Sequence, residues 1–292
     1  MTVVNAPSAV DKQPGQAGLR GRARRLTPGV VLAWLVLAFL AISVTFPGLL
    51  AHEGPLAVNP AHALQGPSLS HLFGTDQSGR DVFSRVVYGA RESLPIGIAA
   101  TAVGLVIAIV LGFAAARGGR WADAVISRFL EVLFAFPSLL LGLLFVAMFG
   151  AGVGSLIIAV GIGSAPGYAR MIRGQVIAVK HAPYVEAARI LGHSRLRIML
   201  GSIFPNAMRP LLVLGTLGIG QSIVWASALS FLGLGAAPPA PEWGAMLAAG
   251  RDFISSAWWL EFFPGAVIVA TALAATALGR HLQRRMEGRL AP

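Results

Sequence analysis

Apolar residues in this chain gather into long unbroken blocks, and the charged residues collect in the gaps between them. About 20 residues of helix cross a hydrocarbon core, and six blocks reach or approach that length: residues 30–51, 94–116, 132–151, 153–170, 210–232 and 262–279. A segment in lipid must satisfy its own backbone hydrogen bonds, so the blocks predict an all-α membrane protein with six transmembrane helices. Pro137 and Pro166 fall inside apolar blocks, where a ring lacking an N–H predicts a kink or a break.

Charge is nearly absent from the block interiors: Arg117, Glu131, Arg170 and Arg280 all stand at or beside block ends. An ion-coupled transporter needs Asp, Glu or His at membrane depth to bind and release its ion, and no block offers one. Spaced arginines of a voltage sensor are missing too. Ala100, Gly104, Ala108 and Gly112 repeat every fourth residue on one helical face, which predicts a close backbone approach. A helix of the same chain is the preferred partner over a second subunit. Thr216, Gly220, Ser227 and Ser230 form a second small, weakly polar face. It suits either the lining of a substrate path or close interhelical packing with hydrogen bonds.

Between the blocks, sidedness is written in Lys and Arg. Nineteen of the 23 basic residues lie in the N-terminal tail, in loops 117–131 and 170–209 and after Gly279, and four lie in the alternate loops. The positive-inside rule therefore predicts cytoplasmic termini. It also accounts for the net charge of +11 without nucleic acid, which would need a soluble basic face. The mean hydropathy of +0.72, with 55% hydrophobic and 12% charged residues, agrees with a bilayer protein. Cysteine is absent, which removes disulfides and thiolate metal sites. Arg20, Arg22, Arg24 and Arg25 before an apolar run imitate a signal peptide, but the run of residues 30–51 is too long and "HEGPLAV" offers no small-residue cleavage site. Residues 1–19 lack any helical period and are predicted to be unstructured.

The outer loops carry their own pattern. Phe83, Val86, Val87 and Ala90 follow "GTDQSG" at helical spacing, predicting a short amphipathic helix over residues 81–91, flat on the outer membrane surface. Asp76 or Ser78 is expected to cap it rather than to hold calcium, for which the acid spacing is wrong. Trp243, Trp258, Trp259, Phe262 and Phe263 read as interfacial aromatics.

The longest basic loop, residues 173–209, has two short helices in its pattern. Pro183 suits a first helical position, Tyr184, Ala187, Ala188 and Leu191 share a face, and Gly192 fits the position just past a helix end. Ser194 can cap a second helix with an apolar stripe of Leu196, Met199, Leu200 and Ile203, which Pro205 is expected to end. Such a pair can rest on lipid headgroups through Arg189, Arg195 and Arg197, or dock on a partner. Glu186 suits the positive end of the helix dipole in either case.

"EAARILG" followed at a distance by "IFPN" resembles the cytoplasmic loop motif of bacterial ABC importer permeases. "FGTDQSGRDVFSRVVYGARESL" (residues 73–94) and "ALSFLGLGAAPPAPEWGAMLAAGRD" (residues 228–252) resemble the second permease subunit, the C type, of dipeptide and oligopeptide importers. The likeness runs from about Leu72 to the last block. Phe204 stands where the family usually has Leu, a volume change that a hydrophobic groove accommodates.

The resemblance implies a type I importer permease core plus one extra N-terminal helix. The expected divisions are a cytoplasmic tail over residues 1–28, a first transmembrane helix and outer loop over 29–71, and an outer interfacial segment over 72–93. A five-helix core over 94–280 would carry the coupling loop 173–209, followed by a cytoplasmic tail over 281–292. Glu186, Ala187, Ala188, Gly192 and Pro205 become the positions that meet an ATPase. Implied partners are a homologous permease, one or two cytoplasmic ATPases that bind ATP and Mg, and an extracytoplasmic peptide-binding protein, in a bacterial inner membrane. No cofactor is expected in this chain, which has no G-x-x-x-x-G-K-[ST] loop, no HExxH pair and no G-x-S-x-G elbow. Its six histidines lack metal spacing. The competing class is a self-assembling channel or secondary transporter working without an ATPase, which does not require a patterned two-helix loop.

Overall fold

The computed structural model describes residues 28–287, in which the secondary structure is helical. In chain order the helices are α1 (Pro28–Thr45), α2 (Val82–Arg117), α3 (Gly119–Ala135), α4 (Ser138–Phe149), α5 (Val153–Lys180) and α6 (Pro183–Ile190). They continue as α7 (Arg195–Ile198), α8 (Phe204–Met208), α9 (Leu211–Phe231), α10 (Trp243–Gly250) and α11 (Trp259–Glu287). By length and composition α1, α2, α5, α9 and α11 can each cross a membrane, and α3 with α4, bent by 95°, makes a sixth span when taken as one. The tail expected to be unstructured lies outside the described residues.

Small residues set the centre of the bundle. The stripe Ala100, Gly104, Ala108 and Gly112 is buried, and it packs on α5 of the same chain. A Cβ at Gly104 would lie 2.5 Å from Ser164 Oγ and 2.9 Å from the Gly161 carbonyl oxygen, and one at Gly161 would lie 2.6 Å from Val103 Cγ1. One turn pair further on, a Cβ at Gly112 would sit 2.9 Å from the Ala169 carbonyl oxygen. With no side chain between them the backbones approach closely, and dispersion over the whole length holds two helices that lipid gives no hydrophobic reason to associate. Three buried clusters build on this axis. Val86, Trp243, Trp259 and Ile268 belong to the one where α2 begins, Ala100, Leu156 and Leu229 to the central one, and Ile172, Val185 and Ile203 to the one beneath the basic loop.

Several element boundaries depart from the sequence pattern. The amphipathic segment 81–91 is not a separate surface helix: it is the start of α2, which runs unbroken for 36 residues through Pro95. Its apolar face is buried by protein rather than by lipid, with Val86 1% and Val87 0% exposed. Neither Asp76 nor Ser78 caps it. Asp81 does, accepting from the Ser84 N–H at 2.7 Å while its other oxygen meets His71 Nδ1 at 3.1 Å. Asp76 instead folds the preceding turn, accepting from the N–H groups of Ser78 and Arg80 at 2.8 and 3.0 Å and from Arg80 Nε at 2.7 Å. Arg85 lies buried beside it and donates to the carbonyls of Pro55 and Pro239, each at 3.2 Å, which joins two outer loops.

The prolines divide as sequence alone could not tell. Pro137 breaks the third block at the α3–α4 elbow, whereas α5 passes through Pro166 without interruption and continues past residue 170 to Lys180. The first block is helical only to Thr45 and then enters a 3-10 turn at Pro47–Leu49. Of the expected interfacial aromatics, Trp258 and Phe262 are exposed, but Trp243 and Trp259 are core residues. Each indole N–H finds a backbone carbonyl, Val86 at 3.0 Å and Thr75 at 3.1 Å, as a buried Trp requires.

Gly104→Leu places a side chain where α5 already stands, and overpacking of this kind costs about 1–3 kcal/mol. The expected result is a lowered thermal midpoint in detergent. Gly174→Ala in α5 meets nothing within 4 Å, and replacing a helical glycine there is expected to hold or raise the midpoint.

Candidate coupling loop and central cavity

The basic loop is a folded, seated element. α6 begins with Pro183 at its first turn, where a missing N–H costs nothing. It ends in a paired motif: His193 N–H donates to the Ala188 carbonyl at 3.1 Å and Gly192 N–H to the Arg189 carbonyl at 3.0 Å. Gly192 has φ +77°, the left-handed conformation that this termination needs and that glycine adopts without a steric penalty. Ser194 then caps α7, accepting from the Arg197 N–H at 3.3 Å. A π-helical turn, Met199–Ile203, joins α7 to α8.

Pro205 does not end the second helix as its ring led us to expect. The wider turn before it absorbs the missing N–H, and the helical path continues through α8 to Met208. The inserted turn also rotates the expected stripe apart: Ile203 is buried, while Leu196 and Leu200 point outward.

Burial divides the loop into a root and a face. Val185, Ile198, Ile203 and Ala207 are buried in one cluster with Ile172 and Val176 of α5 and Leu130 of α3. Of the residues expected to share a face on α6, Tyr184, Ala187 and Leu191 are exposed, while Ala188 is partly buried against the root cluster beside Val185, the buried residue of the helix. Ile190, Leu191, Leu196 and Leu200 are 87, 75, 64 and 60% exposed. Ile190 and Leu191 are the last residue of α6 and the one after it, Leu196 is on α7 and Leu200 is in the π-helical turn, close in sequence to the exposed Glu186, Arg195 and Arg197. Glu186 lies in the first turn of α6, as expected.

Above the loop, a cavity of about 300 Å³ opens between the α3–α4 elbow, α5 and α9. Phe134, Phe136 and Trp225 supply apolar walls, and Ser164, Gln221 and Ser222 supply uncharged polar groups. No lining residue is charged. Tyr168 also lines it, and its hydroxyl is buried with no hydrogen-bond partner among the described residues.

None of the four residues expected on a substrate path lines this cavity. A Cβ at Gly220 would lie 2.9 Å from the Ala272 carbonyl oxygen of α11, so that glycine is a packing contact. Ser227 is buried under Gly244, and Ser230 donates to Glu242. Thr216 bonds the Val213 carbonyl of its own helix at 2.8 Å. The opposite face of α9 carries the cavity lining, and Gln221, an amide within an apolar block, was the sequence signal for it. Glu242 gave no signal at all. It is 1% exposed and caps α10, accepting from the Gly244 and Ala245 N–H groups at 2.9 and 2.8 Å and from the Ser93 hydroxyl at 3.3 Å.

A bundle of spanning helices with an uncharged internal cavity and a rooted basic loop defines a membrane transport component. The family model "Binding-protein-dependent transport system inner membrane component" matches residues 104–288, and the chain belongs to that family. It is 40% identical over 256 residues to the dipeptide transport system permease protein DppC of Alkalihalophilus pseudofirmus, covering 88% of this chain and 84% of that one. It is 38% identical over 261 residues to the glutathione transport system permease protein GsiD of Pectobacterium atrosepticum, covering 89% and 87%. The fold is shared with an inward-facing MetNI methionine ABC transporter structure, with a TM-score of 0.57 at 17% identity over 69% of this chain and 95% of that one. An amino acid ABC transporter structure gives a TM-score of 0.54 at 22% identity over 70% and 94%.

Gly192→Pro removes the N–H that closes α6 and fixes φ near −65°, opposite in sign to the observed value. The expected outcome is faster limited proteolysis between α6 and α7 with normal membrane insertion. Unchanged cleavage would show that the turn does not hold the two helices together.

Proposed function

We propose that this chain is the permease subunit of an ATP-driven importer of dipeptides or oligopeptides and forms half of its translocation pathway. The observation that carries the reading is the loop. Its root is fixed in the helical body, and its outward face combines four bare apolar side chains with a lone acid among arginines. A cytoplasmic ATPase with an apolar groove and a basic group opposite Glu186 fits that face, the apolar side chains supplying affinity and the charges supplying register. Small Ala187 and Ala188 permit close approach. Peptide as the substrate follows from the relatives named above, and the cavity is compatible with it: aromatic walls and neutral hydrogen-bonding groups suit a peptide backbone whatever its side chains.

The rest of the assembly is a second, homologous permease, one or two ATPase subunits that hold ATP and Mg, and an extracytoplasmic binding protein that selects the peptide. Both termini lie on the cytoplasmic side of a bacterial inner membrane, as the basic residues distribute. ATP-driven closure of the ATPases displaces the loop, and the spans rock between inward-open and outward-open states. Energy thus enters through a protein contact, in keeping with apolar blocks whose interiors hold no Asp, Glu or His to bind a coupling ion.

Extraction in mild detergent, with mass spectrometry of what co-purifies, tests the assignment. A second permease and ATPase subunits are expected; a stable oligomer of this chain alone overturns it in favour of a channel. Glu186→Lys, which sets a like charge against the partner's basic group, is expected to cut ATPase recovery about tenfold while membrane insertion persists. Full recovery in that variant removes Glu186 from the docking contact.

A further inference from the structure

The cavity wall contributed by α3 is attached differently from the others. Leu130 is its only buried residue among 17. Besides Ile126, which packs partly buried against the same cluster, two side-chain contacts from the lower part of α5 tie it to that helix. Arg173 donates to Asp123 in a two-point contact, Nε to Oδ1 at 2.5 Å and Nη2 to Oδ2 at 2.6 Å. One turn earlier, the Arg170 guanidinium carbon lies 4.0 Å from the centre of the Phe134 ring, a cation–π contact. Phe134 and Phe136 are cavity-lining residues, and so is Tyr168, two positions before Arg170.

These arginines occupy a particular place on α5. Above them the helix lines the cavity from Ala159 to Tyr168; below them it runs to Lys180 and into the loop. The loop is not free of this stretch, since Val185, Ile198 and Ile203 share a buried cluster with Ile172, Val176 and Leu130. A displacement of the loop therefore moves the lower turns of α5, and those turns grip α3 at two points.

We propose that Arg170 and Arg173 are positioning residues for transport. Through Phe134 and Asp123 they carry displacement of the loop to the α3–α4 elbow and so to the cavity wall. The inference rests on the importer reading above. The residue type fits a mechanical role better than a stabilising one. The ion pair is about one-third exposed, so its Coulomb energy is screened. A planar guanidinium bonded at two points fixes the angle between two helices, which a lysine at the same position does not do.

The test uses the whole complex in liposomes: this chain, its partner permease, the ATPases and the binding protein, with peptide uptake and ATP hydrolysis measured together. In Arg173→Gln and Asp123→Asn, uptake per ATP is expected to fall about tenfold while hydrolysis stays within about twofold. The reversed pair, Asp123→Arg with Arg173→Asp, is expected to recover most of the loss. If Arg173→Gln does not assemble, Arg173→Lys, which keeps the charge and loses the fork, is measured in its place with the same fall expected. An unchanged ratio in the single variants, or a fall that the reversed pair leaves uncorrected, overturns the inference. A lack of ATP-dependent uptake in the unsubstituted complex overturns the importer reading itself, and this one with it.

Discussion

The close approach of α2 and α5 governs the rest of the molecule. Two helices in contact through Gly104, Gly112 and Gly161 cannot slide without driving backbone into backbone, so they behave as one body over the depth of the bundle. α9 joins that body where Ser222 meets Thr101 of α2, their hydroxyls 2.9 Å apart, and α11 joins α9 at Gly220. The outer loops are then clamped to the top of α2 by Trp243, whose ring fills the space left by Gly89.

Against this rigid centre the periphery is graded. The end where α2 begins is dense with buried charge and satisfied hydrogen bonds: Asp76, Arg80, Arg85 and Glu242 are all buried, and all have partners. Buried ionic groups add little to net stability but are costly to leave unpaired, so they specify one arrangement of the loops. The basic end has the opposite character. Its loop is rooted by a few aliphatic side chains, its face is bare, and α3 adds to its one buried leucine a half-buried ion pair with α5. One end of the molecule is built to stay as it is, and the other to be handled.

Much of this was legible in the chain. A helix in lipid is betrayed by its apolar length, and close packing by small residues at four-residue spacing, so the spans and the α2–α5 contact could be read directly. Gly192 and Ser194 were readable because termination of a short helix has local chemistry. Where burial was at issue the pattern was ambiguous: cover by another part of the protein looks the same in sequence as cover by lipid. Residues 81–91 show an amphipathic pattern whether a membrane or Trp243 covers the apolar side. Gly220, Ser227 and Ser230 are small and polar whether they face a path or α10 and α11. Pro205 stops an α-helix, but a π-turn upstream lets the chain continue, and no local rule announces that turn. Asp123 and Arg173, 50 residues apart, carry no mutual signal.

Glu242 has a bearing on how the chain is made. Its carboxylate is satisfied by a hydroxyl from Ser93, some 149 residues earlier, by Ser230 of the preceding span and by backbone just after it. Until α2 and α9 stand side by side in the membrane, the acid has only the first N–H groups of its own α10 for protein partners and remains in water, because burying a half-paired carboxylate is expensive. The outer hairpin can therefore close only over spans that have already inserted and packed correctly. A single side chain thus ties the closing of this hairpin to the correct packing of two spans that lie far apart in the chain.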